Sequence, residues 1–97
     1  MAVGDAVGLI QSVPAGGVID LQPAGTVQWV IHNIYHEFDI NLILYDGVNS
    51  LTFDTSTGSG ILARFTFHPS NSLWIRVKNN DLANARLIGY DGIVSHT

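Results

Sequence analysis

The chain has 97 residues, 46% of them apolar and 12% charged, with four Lys plus Arg against eight Asp plus Glu, four His and no Cys. That length holds one small domain, which excludes a two-domain enzyme; the lack of Cys excludes disulfides and thiol chemistry; and a formal charge of −4 without a basic cluster argues against binding nucleic acid by phosphate neutralisation. Charge is scarce beside the roughly 25% of an ordinary soluble domain, and so short a chain hides only roughly 60 to 65% of its unfolded surface, so self-association would improve its burial.

Residues 1–5 carry no positive n-region followed by a long apolar stretch, so no export signal is expected there. Pro, Gly, Asn, Gln, His or Asp interrupts every apolar stretch well before about 18 residues, and no membrane partner is expected. Residues 1–13 read as either an extended N-terminal arm or a first strand, with alternation over 7–13. A turn at Pro14-Ala15-Gly16-Gly17 leads to a short strand over 17–21, and Pro23-Ala24-Gly25 ends it.

The stretch 27–36 places Val27, Trp29, Ile31 and Tyr35 on one face, while Val30 and Ile34 share the other with Gln28, His32 and His36. Residues 39–46 are also apolar on both sides in their second half (Ile40, Leu42 and Leu44 against Asn41, Ile43 and Tyr45). A sandwich strand buries one face, so two-sided strands predict a subunit interface on the outside of a sheet. Asp46-Gly47 reads as a turn, 50–54 as a short strand, and the small polar loop 55–60 as the most flexible segment.

The clearest half-buried strand is 61–68, with Ile61, Ala63, Phe65 and Phe67 facing one way and Arg64, Thr66 and His68 the other. Residues 72–79 repeat that pattern, with Leu73, Ile75 and Val77 opposite Trp74, Arg76 and Lys78. The turn at Pro69-Ser70-Asn71 predicts that these two strands pair with each other. After a break at Asn79-Asn80-Asp81, a last strand runs from Ala85 to about Val94, with Asp91-Gly92 again reading as turn chemistry. No segment sustains helical spacing. About eight short strands with tight turns predict an all-β, single-domain β-sandwich, jelly-roll-like rather than a closed barrel.

No catalytic pattern emerges. His32 and His36 would share a strand face about 13 Å apart at about 3.3 Å per residue, too far to ligate one ion together, so a metal would need copies of one His gathered on a symmetry axis. Ser59 lacks the Gly-x-Ser-x-Gly elbow, Asp46 and Asp91 are accounted for by their Asp-Gly pairs, and no Gly-rich segment precedes a helix and a Lys-Ser/Thr pair. The chain is therefore expected to be no enzyme and to carry no cofactor or metal of its own.

Trp74 beside Arg76 and Lys78 reads first as a subunit contact, second as a partly buried side chain and third as a carbohydrate-stacking platform, whereas Trp29 reads as core. The tripeptide Tyr-Asp-Gly occurs twice, as Tyr45-Asp46-Gly47 and Tyr90-Asp91-Gly92, which is read as one turn chemistry used twice, with a shared contact surface at one end of the sandwich as the alternative. The candidate interface residues are therefore Trp74, Arg76, Tyr45, Asp46, Gly47, Tyr90, Asp91 and Gly92.

Four segments carry a family likeness: Pro23-Ala24-Gly25 followed by Trp29-Val30-Ile31-His32-Asn33-Ile34; Leu44-Tyr45-Asp46-Gly47; Ser72-Leu73-Trp74-Ile75-Arg76-Val77-Lys78-Asn79; and Ala85-Arg86-Leu87-Ile88-Gly89-Tyr90-Asp91-Gly92. Together, over residues 22–93, they resemble the small β-rich virion proteins of tailed bacteriophages, in particular capsid decoration (cement) and head-associated proteins. The resemblance implies a jelly-roll subunit, often trimeric, made in the host cytoplasm and seated on the major capsid protein or another virion protein to hold the shell against internal pressure. The alternative is a carbohydrate- or receptor-binding module of a head fibre or tail.

Overall fold

Period-two alternation with turn residues between the runs can satisfy the backbone only through ladders to other strands. In a computed structural model, which describes residues 2–62 and 66–97, eight strands form: β1 Ala6–Val13, β2 Val18–Leu21, β3 Gln28–His36, β4 Ile40–Tyr45, β5 Ser50–Ser56, β6 Gly60–Leu62, β7 Trp74–Asn79 and β8 Arg86–His96. There is no helix among the described residues. Among the described residues 2–13, Ala6–Val13 form an ordinary first strand and not an extended arm: Ala2–Asp5 turn back on themselves, and Gly4 N and Asp5 O both bond Val94.

Two antiparallel four-stranded sheets result, in the orders β1-β8-β3-β6 and β2-β7-β4-β5. The chain pairs with itself as a long hairpin, β1 with β8, β2 with β7, β3 with β6 and β4 with β5. That hairpin is rolled up so that β3 also meets β8 and β4 also meets β7. This is the jelly-roll arrangement of two packed sheets.

The rolling corrects the expected neighbours. β6 lies in one sheet and β7 in the other, so the strands on either side of Pro69 do not pair. The predicted strand over 61–68 is described as β6, an isolated bridge from Phe67 to Ile31 and a bond from Trp29 N to Pro69 O; Ala63, Arg64 and Phe65 lie outside the described residues.

The inner faces meet in one core. Val7, Val13, Ile31, Ile34, Ile88, Tyr90 and Val94 come from the first sheet, and Ile19, Leu21, Ile40, Leu42, Ile75 and Val77 from the second, all buried. Phe53 and Phe67 approach each other at 5.9 Å across the gap between the sheets. The same gap is fastened at His36, whose Nδ1 lies 3.0 Å and 2.8 Å from the carbonyls of Phe38 and Gly58 and whose Nε2 lies 3.0 Å from Ser56 Oγ. Carbonyls only accept, so Nδ1 carries the proton and Nε2 accepts from Ser56. With Gly58 N also bonded to Asp39 Oδ1 at 2.6 Å, the 55–60 stretch expected to be flexible is pinned at both its backbone and its side chains.

A second polar clasp holds the neighbouring turns at the same end, joined to the first where Asn80 N donates to Asp39 O. The Nδ2 of Asn79, a fully buried side chain, donates to the carbonyls of Val13, Pro14 and Asn84. Asp81 accepts from the backbone N–H of Ala83 and Asn84 and from Arg86 Nε at 2.7 Å, which holds its carboxyl down at about 2.

Candidate functional site

The outward residues of each sheet are the surfaces a partner would meet, and a single irregularity decides which residues those are. The β3–β8 register shifts between Ile31 and Asn33, so His32 is left without a partner and the strand changes face there. Before the bulge Trp29 and Ile31 point inward; after it Ile34 and His36 do, and Asn33 and Tyr35 turn outward. Uninterrupted alternation had put Tyr35 beside Ile31 and Trp29. The bulge overturns that assignment.

Gly92 makes the bulge possible. A Cβ on Gly92 would lie 2.0 Å from Val30 O and 2.9 Å from Ile31 Cα, so β8 can press against β3 there only without a side chain. Asp91-Gly92 is thus the middle of an 11-residue strand and not a turn.

On the outer face of the first sheet, Asp91 stands between Asn33 and Gly8 in register. The Tyr35 hydroxyl donates to Asp91 Oδ2 at 2.5 Å, and Asn33 Nδ2 donates to Oδ1 at 3.0 Å. The Tyr35 bond, followed by Asn33 and the nearby His32, holds the Asp91 carboxyl below its ordinary range, and the same bond raises the Tyr35 phenol. Apolar side chains surround this cluster: Ile10 is 74% exposed, Ile61 60%, Leu87 49% and Ile93 38%. A shallow open depression between Ile10, Tyr35, Glu37 and Leu87 continues it.

The outer face of the second sheet is polar and self-contained. Tyr45 meets Trp74 edge to face at 5.2 Å, and the Arg76 guanidinium lies 4.2 Å from the Tyr45 ring centroid. Arg76 also grips Asp20 with two bonds of 2.7 Å and 3.0 Å, which lowers the Asp20 carboxyl and raises the guanidinium. The Trp74 indole N–H has no partner in hydrogen-bonding geometry, although it sits close enough to Asp20 to help keep that acid ionised. Asp46 closes the β4–β5 hairpin, its Oδ1 accepting from the N–H groups of Val48 and Asn49, which lowers its pKa; Tyr45 OH caps Gly47 O at 3.2 Å.

Five of the eight candidate residues therefore come together: Tyr45, Asp46, Gly47, Trp74 and Arg76, at one end of the second sheet. The other three do not join them. Tyr90 is core, stacked on Trp29 at 6.0 Å, with burial raising its phenol; Asp91 is on the outside of the other sheet; Gly92 is at the bulge. The two Tyr-Asp-Gly segments share no surface. Trp74 is only 8% exposed beneath Tyr45, so it offers no open platform for stacking a sugar.

Sequence reasoning missed the outward cluster of Asn33 and Tyr35, because Val30, Ile31, Ile34 and Tyr35 are apolar at both parities and hide a bulge. The acidic and histidine residues do not converge: no group of three or more possible metal ligands exists among the described residues. His36 is committed within the fold, and His32, His68 and His96 are exposed. No helix of the described residues is long and apolar enough to cross a membrane. No family model matches the chain, and no curated protein matches it.

Proposed function

We propose that this chain is a structural subunit of a tailed-bacteriophage virion, a capsid decoration (cement) protein that binds the outer surface of the shell as a homo-oligomer and reinforces it without catalysis or cofactor. The observation that carries the reading is the outer face of the first sheet, where Ile10, Ile61, Leu87 and Ile93 stay in water around a carboxylate already satisfied by Tyr35 and Asn33. Covering that face removes apolar surface from water, and both oxygens of the Asp91 carboxylate already accept a hydrogen bond from within the chain. A decoration protein must also be stiff. The His36 and Asn79 clasps tie the turns and both sheets together at one end of the sandwich by side chains that are themselves buried.

The likeness of the strand motifs to decoration proteins supports the same reading, with the major capsid protein as the partner. The test mixes the purified protein with expanded, undecorated shells of the encoding phage and measures co-sedimentation and the temperature at which the shells disrupt. Saturable binding with a raised disruption temperature is expected. Folded protein that stays in the supernatant at every concentration overturns the reading.

A further inference from the structure

Each sheet of an open sandwich has two edge strands whose outward N–H and C=O groups face solvent, and folded proteins shorten, bend or charge such edges to prevent unwanted pairing. Two of the four edges here are defended: β2 has four residues and carries Asp20 in an ion pair, and β5 carries a bulge at Phe53, where the β4 register shifts, followed by Asp54. The third, β6, is described only over Gly60–Leu62. β1 has none of these devices. Its eight residues, Ala-Val-Gly-Leu-Ile-Gln-Ser-Val, include no charge and no Pro, and its register with β8 runs unbroken from Ala6 to Val13.

The strand is also uncovered. Beyond its ladder to β8, the described residues bond its backbone only at the Val13 carbonyl, where Asn79 donates. About half of the N–H and C=O groups of an antiparallel edge strand point away from its one neighbour. Both flanks of β1 are apolar and wet at the middle: Ile10 on the outer face is 74% exposed, and Leu9 on the inner side, where the strand overhangs the sandwich, is 45% exposed.

We infer that β1 is a strand-pairing site whose occupant is β1 of a second copy, joined antiparallel about a two-fold axis so that the first sheets of two subunits become one eight-stranded sheet. Two-fold pairing sets a segment against itself, which repels when the segment is charged; Ala6–Val13 carries no charge to repel. A two-fold axis perpendicular to the sheet matches residues of equal parity, so Ile10 joins the outer apolar face of the other copy and Leu9 meets its inner edge. β1 is the only edge among the described residues long and regular enough to reciprocate.

The inference rests on the proposed reading only for self-association. It replaces the trimer that the family likeness implies with a two-fold contact, hence a dimer or an even-numbered assembly. The test is the solution mass by light scattering over a concentration series, with hydrogen exchange of the β1 amides at each end of the series. A dimer is expected, with the outward β1 amides protected at high concentration and exchanging on dilution. Ile10→Lys sets two cations side by side near the axis and is expected to weaken the dimer at least about 100-fold, while Val48→Lys, at the far tip of the β4–β5 hairpin, leaves it intact.

A wild-type trimer, a wild-type monomer at high concentration, or a wild-type dimer whose β1 amides exchange equally fast at both concentrations overturns the inference; none of the three needs a variant to fold. Shell binding separates it from the virion reading. A dimer that ignores shells removes the decoration role and keeps the strand pairing, and a monomer that binds shells and gains β1 protection there does the reverse.

Discussion

The same tripeptide, Tyr-Asp-Gly, sits at residues 45–47 and 90–92 and does opposite work in the two places. At 45–47 it ends β4: Gly47 takes a φ of 94°, Asp46 collects the turn's N–H groups, and Tyr45 lies outside against Trp74. At 90–92 it runs straight through β8: Tyr90 goes into the core, Asp91 comes out to Tyr35, and Gly92 gives way to the bulge in β3. Turn chemistry is a local preference of a few kcal/mol at most, and a neighbouring strand that fills every ladder position overrides it.

The sharpest way to break this comparison is to add one methyl group at each glycine. Gly92→Ala drives a Cβ into Val30 O with nowhere for backbone to move, and a loss of about 4 kcal/mol or more is expected, enough to prevent folding of a small domain. Gly47→Ala meets only Trp74 at an ordinary 3.7 Å, so its cost is the left-handed backbone alone, about 1 to 2 kcal/mol. Urea denaturation of both variants decides it. Equal losses would mean that position 92 is a turn after all.

The tyrosines give a smaller and spectroscopically distinct contrast. Tyr90→Ala removes a core ring stacked on Trp29 and is expected to cost about 3 kcal/mol. Tyr45→Ala removes an outer ring worth about 1 kcal/mol beyond its area, but it uncovers Trp74, so its fluorescence shifts to the red while the fold survives. An unshifted emission spectrum in folded Tyr45→Ala would show that Trp74 is covered by something other than this ring.

The contrast also marks what a sequence can express. Seven of the eight strands lie where alternation and turn residues placed them, the strand expected over 61–68 being described only as Gly60–Leu62 and the bridge at Phe67; strand count with turn spacing led to the jelly-roll sandwich, because those signals record burial of one face. Which strands neighbour each other was not legible at Pro69, since a turn of Pro-Ser-Asn can cross between sheets as readily as close a hairpin. The bulge at His32 was hidden for a different reason. A bulge shows as a break in parity, and a strand apolar on both parities has none to break. The Asn79 and Asp81 clasp did leave a signal, the polar run Asn79-Asn80-Asp81 with Asn84 and Arg86 following, but polar runs are ordinary in loops and only the fold shows that this one is buried.

The two aspartates separate by acid. Both have depressed carboxyl pKa values, Asp91 chiefly through the Tyr35 hydroxyl and Asp46 through the backbone N–H groups of Asn49 and Val48. A carboxyl depressed in the folded state contributes stability that is complete above its unfolded value, about 3.9, and that is lost as pH falls through its folded value. Asp81, at about 2, sets the lower end of that window. Stability is therefore expected to hold steady above about pH 5 and to decline from about pH 4 towards pH 2. Tyr35→Phe deletes the largest cause of the shift at Asp91 and leaves the donors of Asp46 in place, so the variant's decline should be shallower than wild type by Asp91's share alone. In that background Asp91→Asn should flatten the acid limb little further, while Asp46→Asn should flatten it as much as it does in wild type. Superimposable acid limbs for wild type and Tyr35→Phe would mean that the hydroxyl does not hold Asp91 ionised, and that Asp91 Oδ2 is not satisfied from within the chain.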